Sequence, residues 1–397
     1  MNKRLVGTTV RGLRAPIFRE GDDLVQRIPD LLERFWTEEG VAIGTRDVVA
    51  ITESVVARAQ GNYASLQALS QDLNARFPGP HLGLVFPILS RNRFAMILKA
   101  IAQAKFERLT LLLSYPADEV GNHLLPLEAL DAAGVDPWRD VLSLETFRER
   151  FGSQLHPFTG IDYIQYYQEI VAAEGKECDV VLSNRPQAIL PYTHQILACD
   201  IHSRARTKRV LRGAGAFVLG LDELLTEPAA GSGYNPQYGL LGSNKAGDAL
   251  LKLFPRDCQA LVEEIQAEIL RRSGRVVEVM VYGDGAFKDP VGEIWELADP
   301  VVSPAYTEGL SGKPNELKLK FLADSEFAEL NGEALEAALS ERIRAKGDDL
   351  LGRMETEGTT PRRVTDLLGS LCDLTSGSGD KGTPVVYIQG YFDDFTD

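Results

Sequence analysis

The chain has 397 residues, of which 44% are hydrophobic and 25% are charged, and its formal net charge is -15. This length exceeds the size at which a single hydrophobic core usually stops growing, so we expect two or more folded domains. The acidic surplus excludes a protein that holds nucleic acid through a basic surface, because that affinity comes from an excess of Lys and Arg.

The cysteines and the apolar segments indicate which cellular compartment the protein occupies. The four cysteines lie far apart and form no Cys-x-x-Cys pair, which favours a reducing compartment over a disulfide-rich fold. The N-terminus lacks a signal-peptide pattern, and no segment reaches the ~18 uninterrupted apolar residues of a membrane-spanning helix. We therefore expect a cytoplasmic protein with no membrane partner.

The N-terminal part alternates between strand and helix patterns. RLVGTTVRGL alternates as a strand does, and REGDDLVQRIPDLLERFWTEEG has the apolar spacing of a helix that begins near Gly21, Asp22 and Asp23. The next strand, DVVAIT, runs directly into ESVVARAQG, with Glu53 and Ser54 at the junction. A strand that turns tightly into a helix can present backbone N–H groups to an anion.

Residues 65–233 show a different pattern, in which short apolar strands alternate with amphipathic helices. HLGLVFPILS, ERLTLLLSYP, CDVVLSN, ILACDIH and AFVLGLDEL read as strands, and RNRFAMILKAIAQAK and IDYIQYYQEIVAAEG read as helices. The alternation predicts an α/β domain with a largely parallel sheet. The Gly- and Pro-rich EPAAGSGYNPQ is a boundary signal. We predict an α/β protein in which residues 65–233 form a domain inserted into an α+β core of residues 1–64 and 234–397.

The C-terminal part predicts further helices and strands. A long helix, PRDCQALVEEIQAEILRRSG, would have Pro255 near its first turn, and the strand VVEVMVYGD follows it. Residues 285–314 look irregular. The last helix, TPRRVTDLLGSLCDL, would have Thr360 as its N-cap and Pro361 at its first position.

A glycine-rich loop, TSGSGDKGT, separates that helix from the final strand. Successive Gly and Ser residues can form a turn of backbone N–H groups that holds phosphate oxygens. Lys381 would then neutralise phosphate charge, and Asp380 would reach a metal or a ribose hydroxyl. A flexible turn with no ligand remains the alternative, because Gly and Ser are ordinary loop residues.

Two aspartates are candidates for metal binding. Asp248 lies in GSNKAGDALL, and Asp284 lies at the end of an apolar strand, before Gly285. Mg²⁺ and Mn²⁺ take carboxylate oxygens, and an aspartate at a strand end can present such a metal to phosphates. An ordinary Asp-Gly turn remains the alternative for Asp284.

Taken in order, five segments resemble the coenzyme F-420 gamma-glutamyl ligase family, which joins glutamate to a deazaflavin precursor with GTP. They are VRGLRAPIFREGDDL, DVVAITESVVARAQG, YGLLGSNKAGDALLKLFPRD, VMVYGDGAFKD and SGSGDKGTPVVYIQGY. The resemblance covers about residues 1–65 and 234–397. The middle of the chain is longer than in the family, so the resemblance says nothing about it.

The resemblance implies roles for particular residues. Asp248 and Asp284 would bind divalent metals. The residues that would contact the nucleotide are Arg14, Ala15, Pro16, Ile17, Glu53, Ser54, Arg58, Asn244, Ser376, Gly377, Ser378, Gly379, Asp380, Lys381, Gly382 and Thr383. The resemblance also implies Mg²⁺ or Mn²⁺ as cofactor, GTP or ATP as co-substrate, and a homodimer. It leaves K⁺ open as a further cation.

The sequence departs from the family's pattern at three positions. Arg58 stands where the family has Lys, Gly285 replaces a hydroxyl residue, and Leu251 replaces an Asn. Two functions are therefore considered. The first is an amide ligase that adds glutamate or another amino acid to a carboxylate acceptor through an acyl phosphate. The second is a catalytically altered nucleotide-binding protein whose inserted domain binds a partner.

Overall fold

A computed structural model describes residues 5–157, 159–229, 231–284, 301–350, 352–356, 363–376 and 380–396, with only the backbone at 284, 301 and 302. In these ranges the strands are β1 (Thr9–Leu13), β2 (Val48–Thr52), β3 (Tyr63–Ser65), β4 (His81–Val85), β5 (Arg108–Leu113), β6 (Leu142–Ser143), β7 (Glu177–Leu182), β8 (Gln195–Ala198), β9 (Phe217–Gly220), β10 (Asn244–Lys245), β11 (Leu250–Lys252), β12 (Glu278–Asp284), β13 (Val301–Tyr306) and β14 (Val385–Gln389).

The α-helices of the same described ranges are α1 (Leu24–Glu38), α2 (Glu53–Ala59), α3 (Leu66–Arg76), α4 (Phe94–Gln103), α5 (Leu127–Ala133), α6 (Leu144–Phe151), α7 (Tyr163–Ala173), α8 (Arg204–Gly213), α9 (Cys258–Ser273), α10 (Leu319–Asp324), α11 (Gly332–Arg344) and α12 (Val364–Ser376). Helices and mixed sheets confirm the predicted α/β fold class.

A six-stranded sheet occupies the middle of the chain, in the order β6-β7-β5-β4-β8-β9. Its strands are parallel except for β6, which pairs with β7 in the antiparallel sense. Helices cover both faces of such a sheet, so its strands are apolar along their whole length rather than alternating. β5 fits this rule, because five of its six residues are buried.

The second large sheet, β1-β14-β2-β12-β13, brings the two ends of the chain together. β1 pairs with β14, and β14 pairs with β2, both in the antiparallel sense. Alternate residues of its strands face opposite layers, as the period of two requires. Val49 and Ile51 pack with α1 and α9, whereas Val48 and Ala50 pack with α12.

A small third sheet, β10-β11-β3, joins the two sides of the predicted domain boundary. β3 pairs with β11, with Ala64 opposite Leu251. The buried cluster around the six-stranded sheet includes Leu241, Leu251 and Leu253, which lie beyond residue 234. The division into two domains remains a prediction, but the hydrophobic core extends across the predicted boundary at residue 234.

The predicted start of α1 agrees with the structure. The Asp23 carboxylate accepts the backbone N–H groups of Val25, at 2.9 Å, and Gln26, at 3.2 Å. Asp23 therefore is the N-cap, and it satisfies two N–H groups that lack partners within the helix.

Two predicted details of the C-terminal part are wrong. α9 begins at Cys258, so Pro255 lies outside it; Asp257 has a φ of 55°, a left-handed conformation that the helix cannot continue through. The segment taken as irregular contains β13, which pairs with β12. That pairing is tertiary, so the local pattern did not indicate it. Thr360 and Pro361 lie outside the described residues.

Candidate functional site

A cavity of about 500 Å³ opens where three distant segments of the chain meet. The first segment follows β1, the second is the junction of β2 and α2, and the third leads into β14. The lining residues are Ala15, Pro16, Ile17, Phe18, Thr52, Glu53, Ser54, Val55, Arg58, Tyr282, Gly283, Asp373, Ser376, Gly382, Thr383 and Pro384. We call this cavity the main pocket.

Backbone hydrogen bonds fasten the three segments to one another. The N–H of Ala15 donates to the carbonyl of Gly382 at 3.1 Å, and the N–H of Thr52 donates to the carbonyl of Pro384 at 3.0 Å. Gly12 allows this approach, because a Cβ at that position would lie 3.0 Å from the Cβ of Thr383. Both other segments therefore hold residues 382–384, directly before β14, in place.

The end of α12 is anchored to the large sheet by a buried hydrogen bond. The Tyr282 hydroxyl donates to Ser376 Oγ at 2.8 Å. Burial raises the pKa of Tyr282, so the phenol stays protonated and remains able to donate. The Thr383 hydroxyl also donates to the carbonyl of Ser376, at 3.3 Å. These contacts define one wall of the main pocket.

A buried ion pair joins a residue of the main-pocket lining, Glu53, to Lys252. Lys252 Nζ is 2.6 Å from Glu53 Oε1, and both side chains are about one-tenth exposed. Glu53 lies against the backbone of Gly283, where a Cβ would come within 2.1 Å of Glu53 Cγ. Glycine at position 283 is what leaves space for the glutamate. The pair links the start of α2 to β11.

A second cavity, of about 830 Å³, adjoins the main pocket and shares Ser54 and Arg58 with it. We call it the side pocket. Its other lining residues come from β3, from the loop after β4 and from the hairpin of β10 and β11. They are Tyr63, Asn92, Asn244, Lys245, Ala246, Gly247, Leu250 and Lys252.

Most of the residues predicted to contact a nucleotide line one of these two pockets. Ala15, Pro16, Ile17, Glu53, Ser54, Arg58, Ser376, Gly382 and Thr383 line the main pocket, and Asn244 lines the side pocket. Arg14, Asp380 and Lys381 are exposed and line neither pocket. Gly377, Ser378 and Gly379 lie outside the described residues. The binding role of all these residues remains a prediction.

The two predicted metal ligands lie on different elements. Asp248 is at the tip of the β10–β11 hairpin, its side chain is 99% exposed, and it is 3.3 Å from Lys245 Nζ. The backbone of Asp284 ends β12, directly after Gly283, and its side chain is not described. Within the described ranges, no group of three or more His, Cys, Asp or Glu side chains could hold a metal ion.

Sequence reasoning missed several residues that shape the pockets. Lys252 is the clearest case, because a single Lys inside the apolar run ALLKLF is a signal for a buried and paired cation. Tyr282 gave no comparable signal, since a Tyr in an apolar strand is ordinary. Its role depends on Ser376, which is 94 residues away in sequence.

Comparison with known proteins gives a match along nearly the whole chain. The model of the family described as F420-0:Gamma-glutamyl ligase matches residues 12–390. The chain belongs to this family. It is therefore a member of a family of ligases that form C–N bonds, as the five segments predicted. The match also runs through residues 65–233, about which the resemblance of those segments said nothing. A search of curated proteins found no match.

No helix in the described part of the chain is long and apolar enough to cross a membrane. The predicted homodimer, the cytoplasmic location and the absence of a nucleic-acid partner remain predictions.

Proposed function

We propose that the protein is a nucleotide-dependent amide ligase that joins glutamate, or another amino acid, to a carboxylate acceptor. The observation that carries this proposal is the convergence of three sequence-distant segments on the main pocket. Each of these segments was predicted to contact a nucleotide. Predicted residues from all three line one cavity: residues 15–17 from the first, Glu53, Ser54 and Arg58 from the second, and Ser376, Gly382 and Thr383 from the third. Membership of the ligase family supports the same reading.

The proposed reaction has two steps. An oxygen of the acceptor carboxylate attacks the γ-phosphorus of GTP or ATP, and the nucleoside diphosphate leaves with the electron pair of the broken P–O bond. The amino group of the amino acid then attacks the resulting acyl phosphate, losing a proton, and inorganic phosphate leaves as the amide forms. Neither step needs a nucleophile from the protein, so positioning and charge stabilisation are the protein's contribution.

Arg58 is the side chain best placed to supply that charge. It lines both pockets, it is exposed, and within the described residues it makes no ion pair. A guanidinium can bind phosphate oxygens in a bidentate manner. Ser54, one turn earlier on α2, adds a hydroxyl at the same junction. We propose that both contact the transferred phosphate.

Asp248 and Asp284 are the proposed ligands for Mg²⁺ or Mn²⁺, which would neutralise phosphate charge when bound. The described carboxylates do not form a metal site by themselves, because Asp248 is almost fully exposed at the hairpin tip.

The ligase can be tested by following phosphate release and product mass for the full-length protein. The mixture would contain GTP or ATP, glutamate, Mg²⁺ or Mn²⁺, and F420-0 as the carboxylate acceptor. We expect phosphate release to require both the acceptor and glutamate. Arg58→Met should lower kcat/KM for the nucleotide by about tenfold or more, because a charged contact to phosphate is lost.

Arg206→Met is the matched control, since Arg206 is exposed on α8 and lines neither pocket. It should leave the rate unchanged. Nucleotide binding without phosphate release in any mixture would contradict the ligase and favour the altered nucleotide-binding protein.

A further inference from the structure

The side pocket carries a surplus of positive charge. Arg58, Lys245 and Lys252 line it, and no Asp or Glu does. Lys252 is neutralised by Glu53, which lines the main pocket, whereas the Lys245 contact with Asp248 joins exposed groups. Exposed ion pairs are screened by water and are weak, so Lys245 stays available to a ligand. The lining therefore fits an anion.

One wall of the side pocket comes from the middle of the chain. Asn92 lies in the loop after β4, and its carbonyl accepts the N–H of Lys245 at 2.7 Å. This bond holds the hairpin of β10 and β11 against that loop. The side chain of Asn92 is exposed and makes no hydrogen bond within the described ranges, so its amide can donate to and accept from a ligand.

The loop after β4 also occupies a place in the sheet where ligands commonly bind. In the sheet, β5 is the neighbour of β4 on one side and β8 is its neighbour on the other. The chain adds β5 and β7 on the first side of β4 and then β8 and β9 on the second, so the direction in which strands are added reverses at β4. Open α/β sheets bind ligands at the carboxyl ends of strands at such a point. Here Leu240, Leu241 and neighbouring side chains fill that crevice and leave about 20 Å³, room for about one water. The open space is instead the side pocket, at Asn92.

We propose that the side pocket binds the anionic acceptor of the ligation, and that Asn92 and Lys245 help to select it. This inference rests on the proposed function. The acceptor of an amide ligase must present a carboxylate, which is ionised at neutral pH. Because the side pocket and the main pocket share Ser54 and Arg58, an acceptor carboxylate in one pocket lies beside a nucleotide phosphate in the other.

The test measures two affinities of the full-length protein by titration calorimetry, one for F420-0 and one for GTP with Mg²⁺. Asn92→Asp replaces the amide by a charge of nearly the same shape and should weaken F420-0 binding by about fivefold or more, because like charges repel. Lys245→Glu should weaken it by about tenfold or more, whereas Lys245→Arg, which keeps the charge, should stay within about threefold of the original. GTP affinity should change by less than about twofold in Asn92→Asp and Lys245→Arg, which leave the charge beside Asp248 as it was.

Asn331→Asp is the matched control, since Asn331 is exposed before α11 and lines neither pocket. It should alter neither affinity, and thermal melting should show that all variants fold. Unchanged F420-0 binding in Asn92→Asp and Lys245→Glu would overturn the proposal. So would an equal loss of both ligands, or an original protein that binds GTP but not F420-0. Binding of F420-0 that depends on Lys245, with no binding of GTP or ATP, would support F420-0 binding in the side pocket and overturn the nucleotide-dependent ligase.

Discussion

At the scale of single residues, burial accounts for the apolar residue at position 251. Leu251, at a position where the resemblance leads us to expect Asn, is fully buried in β11, within the cluster of the six-stranded sheet. A buried amide there would need hydrogen-bond partners. An apolar residue is therefore the one that suits this position.

Two buried carboxylates, those of Glu119 and Asp200, also show an effect of burial on single residues. Glu119, in the loop after β5, accepts backbone N–H groups from His202, at 3.1 Å, and Ser203, at 3.2 Å. The Ser203 hydroxyl lies between Glu119 and the carboxylate of Asp200, at 3.1 and 2.7 Å. Burial, followed by the nearby charge of Asp200, raises the pKa of Glu119 to about 7.

This raised pKa makes stability depend on pH. Between pH 4.5 and about 7 the folded state keeps a proton on Glu119 that the unfolded state has lost. This contribution to the free energy of unfolding is therefore present at low pH and is lost as pH rises through that window. We expect the free energy of unfolding of Glu119→Gln to lack on the order of 3 kcal/mol of this pH dependence, measured by urea unfolding at several pH values. Glu329→Gln, on the surface, should follow the original profile; an identical profile for Glu119→Gln would contradict the assignment.

At the scale of elements, capping and apolar spacing predict helices well. α1 and α12 both hold their apolar residues at helical spacing against the large sheet. The local pattern did not predict β13. Its hydrogen bonds are made to another strand, β12, and Pro304 interrupts its apolar pattern. Local signals were sufficient for elements whose hydrogen bonds lie within the element.

The cap of α1 gives a prediction at this scale. Asp23→Ala removes the acceptor of two backbone N–H groups and should lower the free energy of unfolding by about 1 kcal/mol. Asp23→Asn keeps an oxygen in place and should lower it by a few tenths of a kcal/mol at most. Urea unfolding of both variants checks the difference. Equal losses would show that the side-chain oxygen is not what stabilises the helix start.

At the scale of the whole molecule, the two halves of the chain are joined by a shared core. The cluster of the six-stranded sheet extends to β11, and β11 pairs with β3. Removal of residues 65–233 would expose Leu241, Leu251 and Leu253, so the remaining residues would lose part of the hydrophobic packing that stabilises them. Residues 65–233 therefore share a continuous hydrophobic core with the hairpin that lines the side pocket.

This continuity predicts cooperative unfolding. Leu251→Ala should lower the free energy of unfolding by about 3 kcal/mol, because a cavity remains in the shared core. Leu250→Ala is a control in the same strand; Leu250 is 43% exposed, so we expect less than about 1 kcal/mol. Calorimetry should show a single transition that shifts as a whole. Two transitions, of which one alone moves, would contradict the shared core.

The sequence by itself determined the α/β class, most of the helices and strands, and the family, because these depend on local periodicity and on short segments in a given order. It also indicated which three segments form the main pocket. Only the tertiary structure decided how those segments meet, that Glu53 pairs with Lys252, and that Asn92 joins the side pocket. The physical reason is that these contacts join residues that are far apart in the sequence, 199 positions for Lys252 and Glu53 and more for Ala15 and Gly382, and no local pattern indicates which residue lies opposite which.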